Sequence, residues 1–195
     1  MHYLNCLNDI TDFSKAKEIL TEKGLVVKEY GSKMPDLYIV KYNKQKCDMS
    51  DPDVRKCRGL VLSKENNRVI CPVPPKSHDN TEFISNFNSN PENYLIQDFV
   101  DGTMVNVFNY NDEVFISTRS CLNAKCRWFS KQTFADMFYQ CLGSSSEKLD
   151  TLDKSYCYSF VIQHPENTIV KKYLVPDLIL TMVSKVNSDN SVTFY

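Results

Sequence analysis

The segment Tyr94-Leu-Ile-Gln-Asp-Phe-Val-Asp-Gly-Thr-Met-Val-Asn-Val-Phe108 decides how this chain is read. Asp101-Gly102 is a dipeptide suited to a tight two-residue reversal, and apolar residues flank it on both sides. The stretch reads as strand, turn, strand. Downstream, Glu113–Thr118 reads as a third adjacent strand, and 157–163 and 178–184 as apolar strands, with 192–195 as a final one. Upstream, 58–63 and 68–72 form a hairpin over the Glu65-Asn-Asn67 turn, after which Pro72, Pro74 and Pro75 forbid regular structure. Strands are also expected at 25–30 and 37–42, around a turn region from Gly31 to Asp36. Two segments have helical spacing. Residues 12–23 place Phe13, Ala16, Ile19 and Leu20 on one face, with Thr11 or Asp12 as cap and Gly24 as terminator; 130–142 do the same with Phe134, Met137, Phe138 and Cys141. Residues 44–53 are polar and loop-like, 78–93 are a mostly polar stretch, and Gly143-Ser-Ser-Ser-Glu147 is a linker. The sum is an antiparallel sheet with inserted helices, an α+β fold.

A chain of 195 residues can form one sizeable domain or two small ones, and 42% apolar content is ordinary for a globular core. The net charge of −1 excludes an electrostatic nucleic-acid binder acting over its whole surface, so any basic site must be local. No apolar run reaches membrane-spanning length, and Met1-His-Tyr-Leu-Asn-Cys6 is not a secretory leader, so no membrane partner is expected. Eight cysteines form no Cys-x-x-Cys pair and stand at no zinc-ligand spacing with His2, His78 or His164. Free thiols in a reducing, intracellular compartment such as the cytoplasm are expected. Richness in Asn, Lys, Asp and Tyr with few Gly is the bias of AT-rich genomes, those of large DNA viruses among them.

Five blocks carry a resemblance. Phe99-Val-Asp-Gly-Thr103 is similar to the Lys-x-Asp-Gly-Ser/Thr signature of covalent nucleotidyltransferases, whose lysine attacks the α-phosphate of ATP or GTP. Cys57-Arg-Gly-Leu-Val-Leu62 resembles the Ala-Arg-Gly segment of phage-type RNA ligases, and Pro72-Val-Pro-Pro-Lys76 their Arg-Pro-x-x-Lys run. Phe115–Ser120 with Trp128-Phe-Ser130 resembles the strand after the signature. Phe160–Val170 resembles the later Phe-Glu-x-x-x-Pro-x-Asn-x-Ile-Val motif. The order and spacing match over about residues 55 to 185. The resemblance implies an antiparallel-sheet nucleotidyltransferase domain of the RNA ligase adenylation type. Residues 51–195 would be its core and 1–50 a helix-strand extension of the same domain. It implies ATP or GTP with magnesium as cofactor, and RNA as partner.

The departures fall on catalytic positions. Phe99 stands where the family has its nucleophile, and a phenyl ring has no lone pair to attack phosphorus. Val161 replaces the family's glutamate. The family's further metal-binding and Lys-x-Lys strands would lie beyond about residue 200. The resemblance therefore implies a catalytically inactive ligase-like module, with no catalytic or metal-ligating residue of its own, that binds a nucleotide, an RNA end or a cap, or serves a protein partner. The alternative is an active ATP-dependent RNA ligase or guanylyltransferase-like enzyme completed by further sequence.

By resemblance Arg58 and Lys76 face the nucleotide's phosphates, a role suited to charge-assisted hydrogen bonds, and they are expected to converge with Asp101 and Gly102 on one concavity. Arg58 could instead pair with Asp51 or Asp53, and Asp101-Gly102 could be a hairpin turn without a ligand. Arg119 either reaches a phosphate or ends a strand in solvent. Trp128 and Phe129 stack on a base or belong to the core. Phe99 is a candidate interaction residue, alongside Val161 and Ile162 in an open apolar cleft. His164 is expected to be a satisfied turn histidine, and Lys41, Lys44 and Lys46 a solvated edge or an RNA-backbone contact.

Overall fold

The computed structural model describes residues 3–31, 36–94, 96–143 and 149–195. The inner part of the Gly31–Asp36 turn and most of the 143–147 linker lie outside these residues. Ten strands and four α-helices follow in chain order. They are α1 (Phe13–Glu22), β1 (Val26–Glu29), β2 (Leu37–Lys41), α2 (Pro52–Lys56), β3 (Arg58–Ser63), β4 (Val69–Cys71), α3 (Asn80–Ser89), β5 (Thr103–Tyr110), β6 (Glu113–Thr118), β7 (Cys121–Leu122), α4 (Phe134–Leu142), β8 (Cys157–Gln163), β9 (Asp177–Val186) and β10 (Val192–Phe194). The strands form two sheets, ordered β1-β2-β3-β4 and β10-β9-β8-β5-β6-β7, with antiparallel pairing throughout. The fold is mixed α+β. Residue 50 falls between β2 and β3, which pair, so β1 and β2 share a sheet with β3 and β4, and α1 packs on it.

Side-chain alternation explains the stacking. In β2 and β3, Tyr38, Val40, Leu60 and Leu62 pack with Ala16 and Leu20 of α1, while Leu37, Ile39 and Val61 point the other way. These last residues meet Phe108, Leu122 and Cys157 of the second sheet. Val105 and Val107 of β5 and Ile162 of β8 face outward again, onto Phe134, Met137 and Phe138 of α4. The result is helix, sheet, sheet, helix. Strands buried on both faces read as continuous apolar runs, as Leu37-Tyr-Ile-Val40 does.

The helix caps are local and legible. Asp12 accepts from Lys15 N at 2.8 Å, and Thr133 and Asp136 form a reciprocal capping box on α4. Two helices begin within the polar stretches. Asp51 caps α2, with Pro52 in its first turn, and Asp79 caps α3 by accepting from Glu82 N. No residue of α3 is buried; its Phe83 and Phe87 stack with each other and with Tyr94 at 5.4 to 5.7 Å between ring centroids.

The segment around Asp101-Gly102 is only half a hairpin. Residues 96–101 form no strand, and β5 begins at Thr103. Gly102 has φ +143° and lies so close to β8 that a Cβ there would sit 2.3 Å from the Ile162 carbonyl oxygen. Asp101 Oδ2 accepts from the Val170 and Lys171 amides at 3.1 and 2.8 Å. Asp101-Gly102 therefore clamps the entry of β5 to the loop after β8. The two-residue reversal lies one strand later, at Asn111 and Asp112 between β5 and β6, both with positive φ.

Gly59 interrupts the β2–β3 register. Val40 pairs with Leu60 and Lys41 with Arg58, leaving Gly59 as a bulge at φ +104°. A Cβ there would meet Arg119 Cα at 2.6 Å. Gly59→Ala should cost about 2 to 4 kcal/mol in urea unfolding, because backbone strain and a backbone clash coincide. Gly143→Ala, where φ is +57° but no atom lies within 4 Å, should cost only about 1 kcal/mol. Equal losses would show that the Gly59 contact constrains nothing.

Candidate anion-binding site

The Gly59 bulge sets the β6–β7 tip, Arg119-Ser120, against the rim of the first sheet. Residues of β1 and β2 on the inner face alternate with period two. Leu37 and Ile39 fill the interior, and Lys41 emerges at its edge. Across the pair, Lys28 and then Tyr30 beyond it follow the same face. All converge on Ser120. Lys28 Nζ and Tyr30 Oη donate to its carbonyl oxygen, each at 3.1 Å, and Lys41 Nζ donates to its Oγ at 3.2 Å. Arg119 stacks its guanidinium 4.6 Å from the centroid of the buried Tyr42 ring. Arg58 stands opposite Lys41 across the bulge.

No carboxylate among the described residues pairs with Lys28, Lys41, Arg58 or Arg119. Asp51 is taken by Lys23 at 2.7 Å and Asp53 by Lys56 at 3.2 Å, so neither acid holds Arg58. Burial, then the like charges of Lys28 and Arg119, pulls Lys41 below the ordinary lysine range. Lys41 is thus no solvated edge. It borders a recess of about 380 Å³ with Tyr42, Lys44, Gln45 and Arg119. Arg119 itself is exposed.

The chain beyond the tip adds to the positive field. From Val114 to Ala135 there is no Asp or Glu, while Arg119, Lys125, Arg127 and Lys131 occur. This acid-free run is the sequence signal for the site. Trp128 and Phe129 lie within it at 59% and 97% exposure, stacked edge to face at 5.0 Å, so neither belongs to the core. Lys28, Tyr30 and Ser120 belong to the cluster although nothing in their sequence context singles them out.

The other candidate residues occupy separate neighbourhoods. Lys76 donates to Ser77 and lines a recess of about 330 Å³ with Lys44, Arg55, Asp79 and Glu82; Lys44 is shared with the first recess. Arg55 there is already engaged, its Nη1 donating to both Glu82 carboxylate oxygens and its Nε and Nη2 to the Lys76 carbonyl. Asp101 and Gly102 are tied to residues 161–171, and no described hydrogen bond joins them to Arg58, Lys76 or Arg119. Phe99 is 92% exposed, whereas Val161 and Ile162 are buried at 5% and 0%, so these three do not line one open cleft.

The described residues contain no cluster of three His, Cys, Asp or Glu side chains, and Val161, which stands where the resembled motif has a glutamate, is buried. All eight cysteines are free thiols. No helix among the described residues is long and apolar enough to cross a membrane.

No protein-family model matches the chain. The chain is similar to a protein of Autographa californica nuclear polyhedrosis virus provisionally named a bifunctional polynucleotide kinase/RNA ligase. Identity is 24% over 176 residues, covering 82% of this chain and 25% of the viral protein. The chain spans about a quarter of that relative's length. The likeness is distant and RNA ligase-like.

His164 closes the block from Phe160 as a structural residue. Its Nε2 lies 2.9 Å from Gln140 Oε1, and its Nδ1 accepts from the Glu166 amide at 3.2 Å, which fixes a neutral ring donating through Nε2. Burial lowers its pKa from 6.5, against the opposing pull of Glu166. A histidine depressed in the folded state contributes stability that is fully present above its unfolded pKa and is lost as pH falls below it. Stability should therefore drop between pH 7.5 and pH 5. His164→Gln should flatten that drop in urea titrations; an unchanged slope would assign it to other groups.

Proposed function

We propose that this chain is a ligase-like module that holds the phosphate of a nucleotide or an RNA end and forms no covalent bond to it. The observation that carries the proposal is the convergence of Lys28, Lys41 and Arg119 on the Ser120 tip without a carboxylate. Clustered cations repel, and burying part of Lys41 adds to the cost. A bound phosphate would offset both effects. Its oxygens would accept from Lys41 Nζ, the Arg119 guanidinium and Ser120 Oγ, with Arg58 at the flank. Trp128 and Phe129 offer exposed ring faces to a base on the same acid-free segment. Lys76 would meet a second phosphate across Lys44. The likeness to the viral protein supports RNA as the polymer.

Phe99 supplies the negative half of the proposal, since the position that resembles the nucleophile holds an exposed phenyl ring. A second role has its own observation. Ile96, Phe99, Leu174 and Val175 are exposed at 72 to 92% on segments that Asp101 ties together, which suits a protein partner. Pull-down with wild type and Phe99→Ala tests that role, and capture of equal partner by both would remove Phe99 from it.

Incubation with α-labelled ATP or GTP and magnesium should leave no label on the denatured protein; a labelled band that depends on any lysine of the chain would overturn the non-covalent reading. Fluorescence anisotropy with 5′-phosphorylated RNA should show binding that Lys41→Ala and Arg119→Ala each weaken by about tenfold, with a shallower salt dependence. Lys17→Ala, on α1, should leave it unchanged. Equal affinity in all three variants would refute the site.

A further inference from the structure

The anion site stands on an unusual turn. Strands β6 and β7 pair Thr118 with Cys121, and Arg119-Ser120 is the two-residue tip between them. Immediately after β7, Asn123 and Ala124 both adopt positive φ, +62° and +50°, which reverses the chain a second time. Two bonds from α4 fix the return: Ala135 N donates to the Ala124 carbonyl and Phe134 N to the Cys126 carbonyl, each at 3.0 Å. Cys126 Sγ consequently lies 3.4 Å from Oγ1 of Thr118, the ladder partner of Cys121, whose own thiol donates to the Leu122 carbonyl at 3.2 Å. Directly paired strand residues such as Thr118 and Cys121 stand about 4.5 to 5.5 Å apart at Cα, so a sulfur in contact with the Thr118 hydroxyl lies within reach of the Cys121 thiol. Both thiols are partly exposed, whereas Cys57, Cys71 and Cys157 are buried.

We propose that Cys121 and Cys126 are a reversible redox pair that sets the charge beneath the anion site. The Cys126 thiolate attacks one oxygen of hydrogen peroxide; the O–O bond breaks, and protonation of the leaving oxygen gives water and a sulfenic acid. The Cys121 thiol then attacks the Cys126 sulfur, releasing a second water and closing the disulfide. The two thiols lose two electrons, which reduce the peroxide. Two equivalents of a small thiol reverse the reaction.

The chemistry of the pair is asymmetric in the required sense. The neighbouring Cys121 thiol, then Thr118 and Lys28, lowers the Cys126 thiol below the ordinary range, against the effect of burial. Cys126 in turn, together with burial, raises Cys121, whose thiol keeps its proton and donates it to the Leu122 carbonyl. Cys71 and Cys157, the other neighbouring thiols, are shielded from solvent, and burial together with the contact to Cys157 pushes Cys71 upward. The regulatory part rests on the phosphate reading above. A thiolate at Cys126 offsets part of the charge of Lys28 and Lys41, and a neutral disulfide would not.

The test uses the whole chain and hydrogen peroxide. Mild treatment should lower the free thiol count from eight to six. Trypsin cleaves after Arg119, Lys125 and Arg127, so mass spectrometry should find Ser120–Lys125 linked to Cys126–Arg127, and a thiol reductant should separate them. Cys121→Ser should stop at a sulfenic acid on Cys126 that dimedone traps, and Cys126→Ser should form neither product. Retention of all eight thiols, or linkage of Cys71 to Cys157 instead, would overturn the pair. ATP should bind the oxidised wild type about threefold more tightly than the reduced, an effect on the scale of one exposed ion pair. Disulfide formation with unchanged ATP affinity would overturn the regulatory role alone, while loss of ATP binding in reduced Lys41→Ala independently supports the anion site.

Discussion

The backbone of Gly59 lies against the backbone of Arg119, and only a hydrogen fits between them. Much of the molecule depends on that contact. The first sheet ends its regular pairing there, so Arg58 and Lys41 emerge together at the rim. The second sheet delivers its shortest hairpin to the same point. The interior apolar layer stops, and the inner face changes from Leu37 and Ile39 to Lys41 within two residues. A functional edge is thereby built from the same alternation that builds the core.

The electrostatics of that edge are unbalanced by the order of residues along the chain. Acidic residues equal or exceed basic ones overall, with 24 Asp and Glu against 23 Lys and Arg, yet no Asp or Glu occurs from 114 to 135. Several cations elsewhere are matched: Lys17 and Lys64 share Glu29, Lys23 holds Asp51 and Arg55 holds Glu82. Local excess on a near-neutral chain is what a site for an anionic ligand needs, since it focuses the field without making the whole surface adhesive.

What the sequence disclosed depended on the range of the interaction involved. Periodicity and capping placed α1, α4 and nearly every strand, because those signals lie within a few residues of each other. The helix caps at Asp51 and Asp79 were equally local, but α2 buries a single apolar residue, Val54, and α3 none, so no apolar periodicity marked either helix. Asp101-Gly102 misled for the opposite reason. The dipeptide has a strong local turn preference, and tertiary contacts with Ile162, Val170 and Lys171 overrode it. At the site, Arg119 was visible from its place after an apolar strand. Lys28, Tyr30 and Ser120 were not, since they lie about 90 residues apart and only sheet packing joins them.

Helix α3 has a consequence of another kind. Its aromatic residues satisfy one another rather than the core, and its chief ties to the body are the bonds of Arg55 to Glu82. Such a segment is a separate cooperative unit, whose opening free energy is set by a few exposed contacts and not by the two sheets. Its amides will exchange with solvent by sub-global opening while β2, β3 and β8 stay protected. Each opening also releases the chain that runs directly into Phe99 and Asp101, so the accessibility of that segment follows the local equilibrium of a helix that belongs to neither sheet.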